Sequence, residues 1–214
     1  MSAVKLKKIV FICTGNTCRS PMAEYLLKQI LKKEKLRGFK VCSAGVGAKK
    51  GDTINPKSAQ TLAEHKITVG KFTSTPVNDK LLKEAFAFVC MTERHADYLM
   101  DMRWDVLRKA GAEDIENNVY SFEQLAGYSV PDPYGRDIDA YRYVYELLEG
   151  GMYALIDKLR LREHALPAPP KKEGTGKRGR PKKNPDSEPK ENQAPKKRGR
   201  PKKEPTVEQL HIPF

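Results

Sequence analysis

The chain has 214 residues, which is enough for one domain of ordinary size and a further segment, and 39% of them are hydrophobic. It contains four cysteines, and its longest apolar run is the seven residues 85–91. These features argue against a disulfide framework, secretion and a membrane span, so we expect a cytoplasmic protein with no membrane partner. The formal net charge of +13 indicates an anionic partner.

The excess of positive charge lies near the carboxyl end. Residues 165–214 hold 14 Lys and Arg against 6 Asp and Glu, together with 10 of the 15 prolines. So few apolar residues remain there that burial cannot offset a chain entropy of about 1–2 kcal/mol per residue. We therefore predict a folded domain over 1–164 and a disordered basic tail over 165–214.

Strands and helices alternate along the folded part. Residues 9–12 form a short run of branched and aromatic side chains, typical of a buried parallel strand, and Ser20 and Pro21 are expected to cap and open the next helix. The apolar spacing predicts strand 9–12, helix 20–32, strand 40–44, helix 56–65, strand 85–91, helix 93–102, strand 119–122 and helix 137–161. This order predicts a three-layer α/β/α domain with a central parallel sheet, whose ligands bind at the carboxyl ends of the strands.

The segment C-T-G-N-T-C-R-S at 13–20, here called the cysteine loop, joins the first strand to the first helix. Such a loop points several backbone N–H groups at one spot, where they can hold a phosphate. Cys13 faces that spot, and the helix dipole and Arg19 are expected to favour its thiolate, which can attack phosphorus. Arg19 can bind two non-bridging oxygens of the phosphoryl group. Gly15 is expected to permit the turn, and the Ser20 hydroxyl to stabilise the thiolate as it leaves.

The cysteines allow two other interpretations. Cys13 could be a buried structural cysteine beside a capped helix. A metal site is not expected, because the cysteine spacings include no C-x-x-C and place no histidine at ligand spacing.

A displacement at phosphorus also needs a proton donor for the leaving group and then a base for water. Asp132 is the candidate, because the prolines on both sides of it, Pro131 and Pro133, stiffen the backbone that would hold its carboxyl group over a pocket. The alternative is an ordinary turn, which Asp-Pro commonly opens.

These segments together resemble the low-molecular-weight protein tyrosine phosphatase family. The resemblance covers roughly residues 6–160 and rests on C-T-G-N-T-C-R-S-P-M-A-E at 13–24, S-A-G-V at 43–46 and D-P-Y-G at 132–135. It implies a phosphorylated protein as substrate, no metal or other cofactor, Cys13 as nucleophile, Arg19 as phosphate clamp and Asp132 as general acid. It also implies a set of phosphate- and substrate-binding residues: Thr14, Gly15, Asn16, Thr17, Cys18, Ser20 and Tyr134. Cys18 would form a reversible protective disulfide with Cys13.

The cysteine loop also bears on the substrate. Members of the family that act on phosphotyrosine usually carry bulky aliphatic residues at the positions of Thr14 and Thr17, whereas this loop resembles the protein arginine phosphatase branch. The Thr17 hydroxyl could orient water or a polar guanidinium. We therefore predict a phosphoarginine phosphatase, with phosphotyrosine as the alternative substrate. An arsenate reductase is disfavoured, because its relay needs two further neighbouring cysteines and Cys42 and Cys90 are far apart in sequence.

An identical basic heptad occurs twice in the tail, at 177–183 and 197–203. It resembles the AT-hook, in which R-G-R-P lies along the minor groove of A·T-rich DNA. The residues expected to contact DNA are Arg178, Gly179, Arg180, Pro181, Arg198, Gly199, Arg200 and Pro201. The prediction is a DNA-tethered, nucleoid-associated phosphatase. The alternatives are a polybasic run that binds any polyanion, and a DNA-binding module whose phosphatase-like domain is inactive.

The last six residues, from Gln209 to Phe214, become apolar again. They resemble the short peptide by which partners bind the bacterial replication sliding clamp, where a glutamine and spaced apolar side chains enter a groove. The alternative is an apolar chain end without a function.

Overall fold

The computed structural model of the chain describes residues 5–113 and 115–168. Both basic heptads and residues 209–214 lie outside the described residues, as does the predicted tail beyond 168. No helix in the described ranges is long and apolar enough to cross a bilayer.

Four parallel strands form the central sheet, in the order β2-β1-β3-β4. Their bounds are β1 Lys7–Cys13, β2 Phe39–Gly45, β3 Ala87–Cys90 and β4 Val119–Ser121. β1 is flanked by a strand on each side and its residues 9–13 are buried, as the uninterrupted apolar run predicts for a strand covered on both faces. The predicted parallel sheet is confirmed.

Seven helices connect and cover these strands in the described part of the chain: α1 Arg19–Lys33, α2 Pro56–Glu64, α3 Asp79–Glu84, α4 Glu93–Lys109, α5 Phe122–Ala126, α6 Ile138–Lys158 and α7 Leu161–His164. Ile9 and Phe11 face a core shared with α1, α2, α5 and α6, whereas Val10 and Ile12 face a second core shared with α3 and α4. The sheet is therefore sandwiched between two helix layers, and the three-layer α/β/α prediction is confirmed.

Several predicted boundaries differ from the structure. α4 runs seven residues beyond 102, and its inward stripe continues through the buried Arg103 to Val106, which packs against the second core. Phe122 begins α5 rather than ending a strand, since Ser121 and Gln124 form a capping box there. The prediction of Ser20 as a helix cap is wrong. Cys18 occupies the N-cap position without a side-chain hydrogen bond, and the Ser20 hydroxyl is used elsewhere.

Candidate active site

Cys13 ends the central strand β1, and its side chain is almost fully buried, with 3% exposed. The backbone N–H of Asn16 donates to its sulfur across 3.3 Å, and the Ser20 hydroxyl lies 3.0 Å from it. The Ser20 oxygen accepts a hydrogen bond from the Asn16 amide at 2.9 Å, and its own hydrogen has two acceptors in reach, the Cys13 sulfur and, farther away at 3.5 Å, the Ala44 carbonyl. Two donors thus converge on the Cys13 sulfur.

Asn16 holds the cysteine loop in shape. It is completely buried, and its φ of 53° lies in the left-handed region, which asparagine tolerates better than most residues. Its amide nitrogen donates to Ser20 and, at 2.8 Å, to Ser43, while its amide oxygen accepts from the backbone N–H of Thr75 at 2.8 Å. The expectation that Gly15 makes the turn is wrong, because the left-handed residue of the loop is Asn16.

A buried polar chain extends this support behind the loop. The Ser43 hydroxyl, on β2, donates to the buried carboxylate of Glu24 across 2.6 Å, and Lys28 forms an ion pair with Glu24 one turn further along α1. Neither Ser43 nor Glu24 was predicted to belong to the site. Glu24 faces the sheet from α1, and the only sequence signal was a carboxylate on the apolar face of a predicted helix.

Gly45, at the end of β2, lets the strand approach the cysteine loop closely. A Cβ atom at this position would lie 2.4 Å from the carbonyl oxygen of Thr14 and 2.9 Å from the backbone nitrogen of Asn16. The next two residues bond to the loop through their backbone N–H groups, Val46 to the Cys13 carbonyl and Gly47 to the Thr14 carbonyl. A side chain at position 45 would therefore push the loop out of place.

Arg19 and Asp132 meet at the edge of the site. Arg19 is the first residue of α1, and one of its terminal nitrogens donates to the carbonyl of Val130 at 3.3 Å. The other donates to the Asp132 carboxylate at 2.5 Å. The second Asp132 oxygen accepts from the backbone N–H of Tyr134 at 3.2 Å, so the carboxyl group is held at both oxygens.

The predicted residues gather around one cavity of about 380 Å³. Its walls include the three residues predicted to be catalytic, Cys13, Arg19 and Asp132, and also Thr14, Gly15, Thr17, Cys18 and Tyr134. Asn16 and Ser20 are buried behind the loop instead. Three cavity residues were not predicted, namely Gly47, Lys49 and Asp52, which follow β2 at the carboxyl edge of the sheet where ligands were expected.

His95 fixes Thr14 from the side of α4. Its Nε2 lies 2.9 Å from the Thr14 hydroxyl and its Nδ1 lies 2.7 Å from the hydroxyl of Thr92. Burial and the positive charge of Arg19 lower the pKa of His95 to about 4; Asp132 opposes this shift, and Arg94 adds a smaller lowering effect. The ring is therefore neutral at pH 7, with one nitrogen donating and the other accepting. No sequence pattern indicates this contact, which joins residues 81 positions apart.

The other cysteines differ in their surroundings. Cys18 is buried, with its sulfur 3.6 Å from the Tyr141 hydroxyl, and burial raises the pKa of that tyrosine. Burial, and then the nearby Cys13, raise the pKa of the Cys90 thiol, which ends β3 and does not line the cavity. Cys13 and Cys18 are both free thiols. Within the described ranges, no group of three His, Cys, Asp or Glu side chains is placed to hold a metal ion.

Comparison with known proteins gives concordant matches. A sequence model of the low molecular weight phosphotyrosine protein phosphatase family matches residues 8–165. A protein-arginine-phosphatase of Bacillus subtilis (strain 168) is 32% identical over 155 residues, which are 71% of this chain and 96% of that protein. The low molecular weight protein-tyrosine-phosphatase Wzb of Salmonella typhi is 32% identical over 143 residues, 66% of this chain and 87% of that one.

A solved structure is similar over the same region. It is a mutant of the YwlE arginine phosphatase that carries a phosphorylated active-site serine. Its TM-score is 0.62 at 31% sequence identity, and the match covers 72% of this chain and 95% of that chain.

Proposed function

Because this chain belongs to the low-molecular-weight protein tyrosine phosphatase family, we propose that it hydrolyses phosphoarginine in proteins through a phosphocysteine intermediate. One observation carries the proposal: the Cys13 sulfur, with two hydrogen-bond donors directed at it, shares a single cavity with Arg19 and Asp132. A nucleophile, a fixed cation and a carboxyl group are the three parts that a metal-free phosphoryl transfer needs.

In the first step the Cys13 thiolate attacks phosphorus and forms an S–P bond. The P–N bond breaks, its electron pair returns to nitrogen, and the Asp132 carboxylic acid gives that nitrogen a proton. Arg19 stabilises the negative charge on the phosphoryl oxygens during the transfer. The phosphorylated serine in the active site of the related arginine phosphatase supports a covalent intermediate at this position.

In the second step water attacks the phosphocysteine. The Asp132 carboxylate takes a proton from that water, the S–P bond breaks, and its electrons return to sulfur as the thiolate. The Ser20 hydroxyl, 3.0 Å from the sulfur, donates to the leaving anion. The products are inorganic phosphate and the starting enzyme.

The ion pair between Arg19 and Asp132 links binding to catalysis. A phosphoryl group in the cavity competes with Asp132 for the same guanidinium, because both are anions within its reach. Substrate therefore draws Arg19 away from Asp132 and frees that carboxyl group for proton transfer.

The preference for phosphoarginine rests on the polar wall of the cavity. The nearest partner of the Thr17 hydroxyl within the described chain is the Cys18 sulfur at 3.6 Å, a weak acceptor, so the hydroxyl oxygen remains available to a guanidinium N–H. The Asp52 carboxylate lines the same cavity and supplies a second acceptor. A site with these acceptors favours a substrate that carries N–H groups over a flat phenyl ring.

Phosphate release from phosphoarginine and from phosphotyrosine, measured on the full chain, tests this preference. Phosphoarginine is expected to react faster. Thr17→Ile should lower kcat/KM for phosphoarginine by about tenfold and spare phosphotyrosine, since only the first substrate needs the hydroxyl. Thr17→Ser keeps the hydroxyl and should keep the preference. Equal losses on both substrates in Thr17→Ile would refute the role of Thr17, and faster phosphotyrosine release by the wild-type protein would make it a tyrosine phosphatase.

A second function is proposed for the tail, on the sequence alone. The two identical heptads, at 177–183 and 197–203, are expected to bind A·T-rich DNA and to keep the phosphatase near DNA-bound proteins. The double variant Arg180→Ala with Arg200→Ala should lose the preference for A·T-rich over G·C-rich duplexes at fixed salt. Lys171→Ala with Lys190→Ala removes the same charge outside the heptads and should retain it. A wild-type chain that binds both duplexes equally is a generic polyanion binder.

A second proposal for the tail concerns residues 209–214, which would bind the replication sliding clamp. Removing these six residues should abolish co-purification with the clamp and leave phosphatase activity intact. Unchanged co-purification would dismiss the proposal.

A further inference from the structure

A second cavity, of about 430 Å³, adjoins the catalytic one. The two share Thr14 and Gly47 as walls, so they lie side by side along the carboxyl edge of the sheet. The remaining walls of the second cavity are Val46, at the end of β2, and Arg94, His95 and Tyr98, from the first two turns of α4.

The shared wall is held in place. Thr14 is tied to His95 through its hydroxyl and to Gly47 through its carbonyl, at 2.9 Å in each case. His95 is in turn tied to Thr92, which caps α4. The position of the second cavity is therefore fixed relative to the cavity around Cys13, which is called the slot below because it would receive the phosphoryl group.

The second cavity carries one positive charge. Arg94 is exposed, and it forms no ion pair within 4.0 Å with any residue of the described ranges. His95 is neutral at pH 7, and the two acidic residues nearest in sequence, Glu93 and Asp97, do not line the cavity. Tyr98 is 54% exposed and adds an aromatic face beside the cation.

We propose that this second cavity binds the polypeptide next to the phosphorylated residue and that Arg94 selects an acidic side chain there. The inference rests on the proposed function of the neighbouring slot. In an extended peptide, side chains two residues apart point the same way, roughly 7 Å from one another. Because the two cavities share Thr14 and Gly47, a phosphorylated side chain in the slot can place the side chain two positions before or after it over the second cavity. The Tyr98 ring packs against the stem of that residue.

The test compares peptides that carry either Asp or Lys at the positions two residues before and two residues after the phosphorylated residue and are otherwise identical. It uses whichever of phosphoarginine and phosphotyrosine the full chain hydrolyses faster. We expect kcat/KM to favour the Asp peptides by about threefold, mainly through KM, as is usual for an exposed ion pair. Arg94→Glu should reverse this ratio, and Arg94→Lys should restore the Asp preference.

Two controls separate the subsite from the slot. p-Nitrophenyl phosphate has no peptide, so its hydrolysis by Arg94→Glu should remain within about twofold of wild type. Arg108→Glu makes the same charge change at the far end of α4, about 21 Å along a helix of 1.5 Å per residue, and should leave the peptide ratio unchanged.

An Asp-to-Lys ratio that is the same in the wild type and in Arg94→Glu would overturn the subsite. A loss of p-nitrophenyl phosphate activity in Arg94→Glu as large as the loss of activity on the Asp peptides would also overturn it, because Arg94 would then act on the slot itself. Failure of the proposed catalytic function looks different: the wild-type chain would hydrolyse neither the peptides nor p-nitrophenyl phosphate.

Discussion

The guanidinium of Arg19 donates to the carboxylate of Asp132 across 2.5 Å, although 113 positions separate them in the chain. The Arg19 side chain is 6% exposed and that of Asp132 is 50% exposed, so the contact joins the buried floor of the cavity to its rim. The proposed phosphate-binding cation and the proposed general acid are thus in direct contact, and the proposed mechanism requires substrate to separate them.

Asp132→Asn should separate the role of Asp132 in proton transfer from its restraint of Arg19. The amide cannot donate or accept the catalytic proton, so kcat for a phosphorylated peptide is expected to fall by about 10²–10⁴-fold. KM should stay the same or fall, because Arg19 is released from a charged partner. Steady-state kinetics measure both quantities. Asp101→Asn, an exposed carboxylate on α4, is the matched control and should behave as wild type. A raised KM with unchanged kcat in Asp132→Asn would contradict the proposed role.

Gly45→Ala should disable the site through the backbone. Its methyl group would stand 2.4 Å from the Thr14 carbonyl oxygen, so the cysteine loop must shift, and a shift of this kind costs about 10²-fold in rate. Gly70→Ala is the control, because a Cβ at position 70 meets nothing within 4 Å. Circular dichroism confirms folding, and p-nitrophenyl phosphate hydrolysis reports the site. Full activity in a folded Gly45→Ala would show that the close approach is not needed.

His95 should make stability depend on pH. Its pKa is lowered to about 4, from an ordinary value of about 6.5, so between these values the unfolded chain binds a proton that the folded chain does not. The contribution of neutral His95 to the free energy of unfolding is fully present above about pH 6.5 and is lost as the pH falls towards 4. Going from pH 7 to pH 4.5 should cost the wild type about 1 kcal/mol more than His95→Gln, less than the full shift implies because the ring is only half-buried.

Urea unfolding of the two proteins at both pH values measures this difference. His95→Gln is a suitable partner because glutamine also offers a donor and an acceptor to Thr14 and Thr92 but does not titrate. Identical pH dependence in the two proteins would remove His95 as the cause.

The sequence predicted the parts of this site that are local. The strand, the cysteine loop and α1 follow one another: apolar spacing predicted the strand and the helix, and the loop was recognised from its own residues between them. The network behind the loop could not be predicted, because Ser43, Thr75 and His95 reach it from distant positions through the fold. The wrong Ser20 cap has another origin, because the sequence predicted two uses for the same hydroxyl. The helix begins one residue earlier, at Arg19, and the hydroxyl lies 3.0 Å from the Cys13 sulfur, as its other predicted role requires. α3, α5 and α7, with four to six residues each, are too short to show helical periodicity.

The most direct test is to find where the phosphoryl group goes. The full chain is mixed with a phosphorylated peptide, quenched in acid within one turnover, and analysed by mass spectrometry of its peptides. Our account predicts one added phosphoryl group on Cys13, no phosphate release by Cys13→Ser, and normal release by Cys90→Ser. Phosphate release by the Cys13→Ser protein, or a phosphoryl group trapped on any other residue, would contradict it.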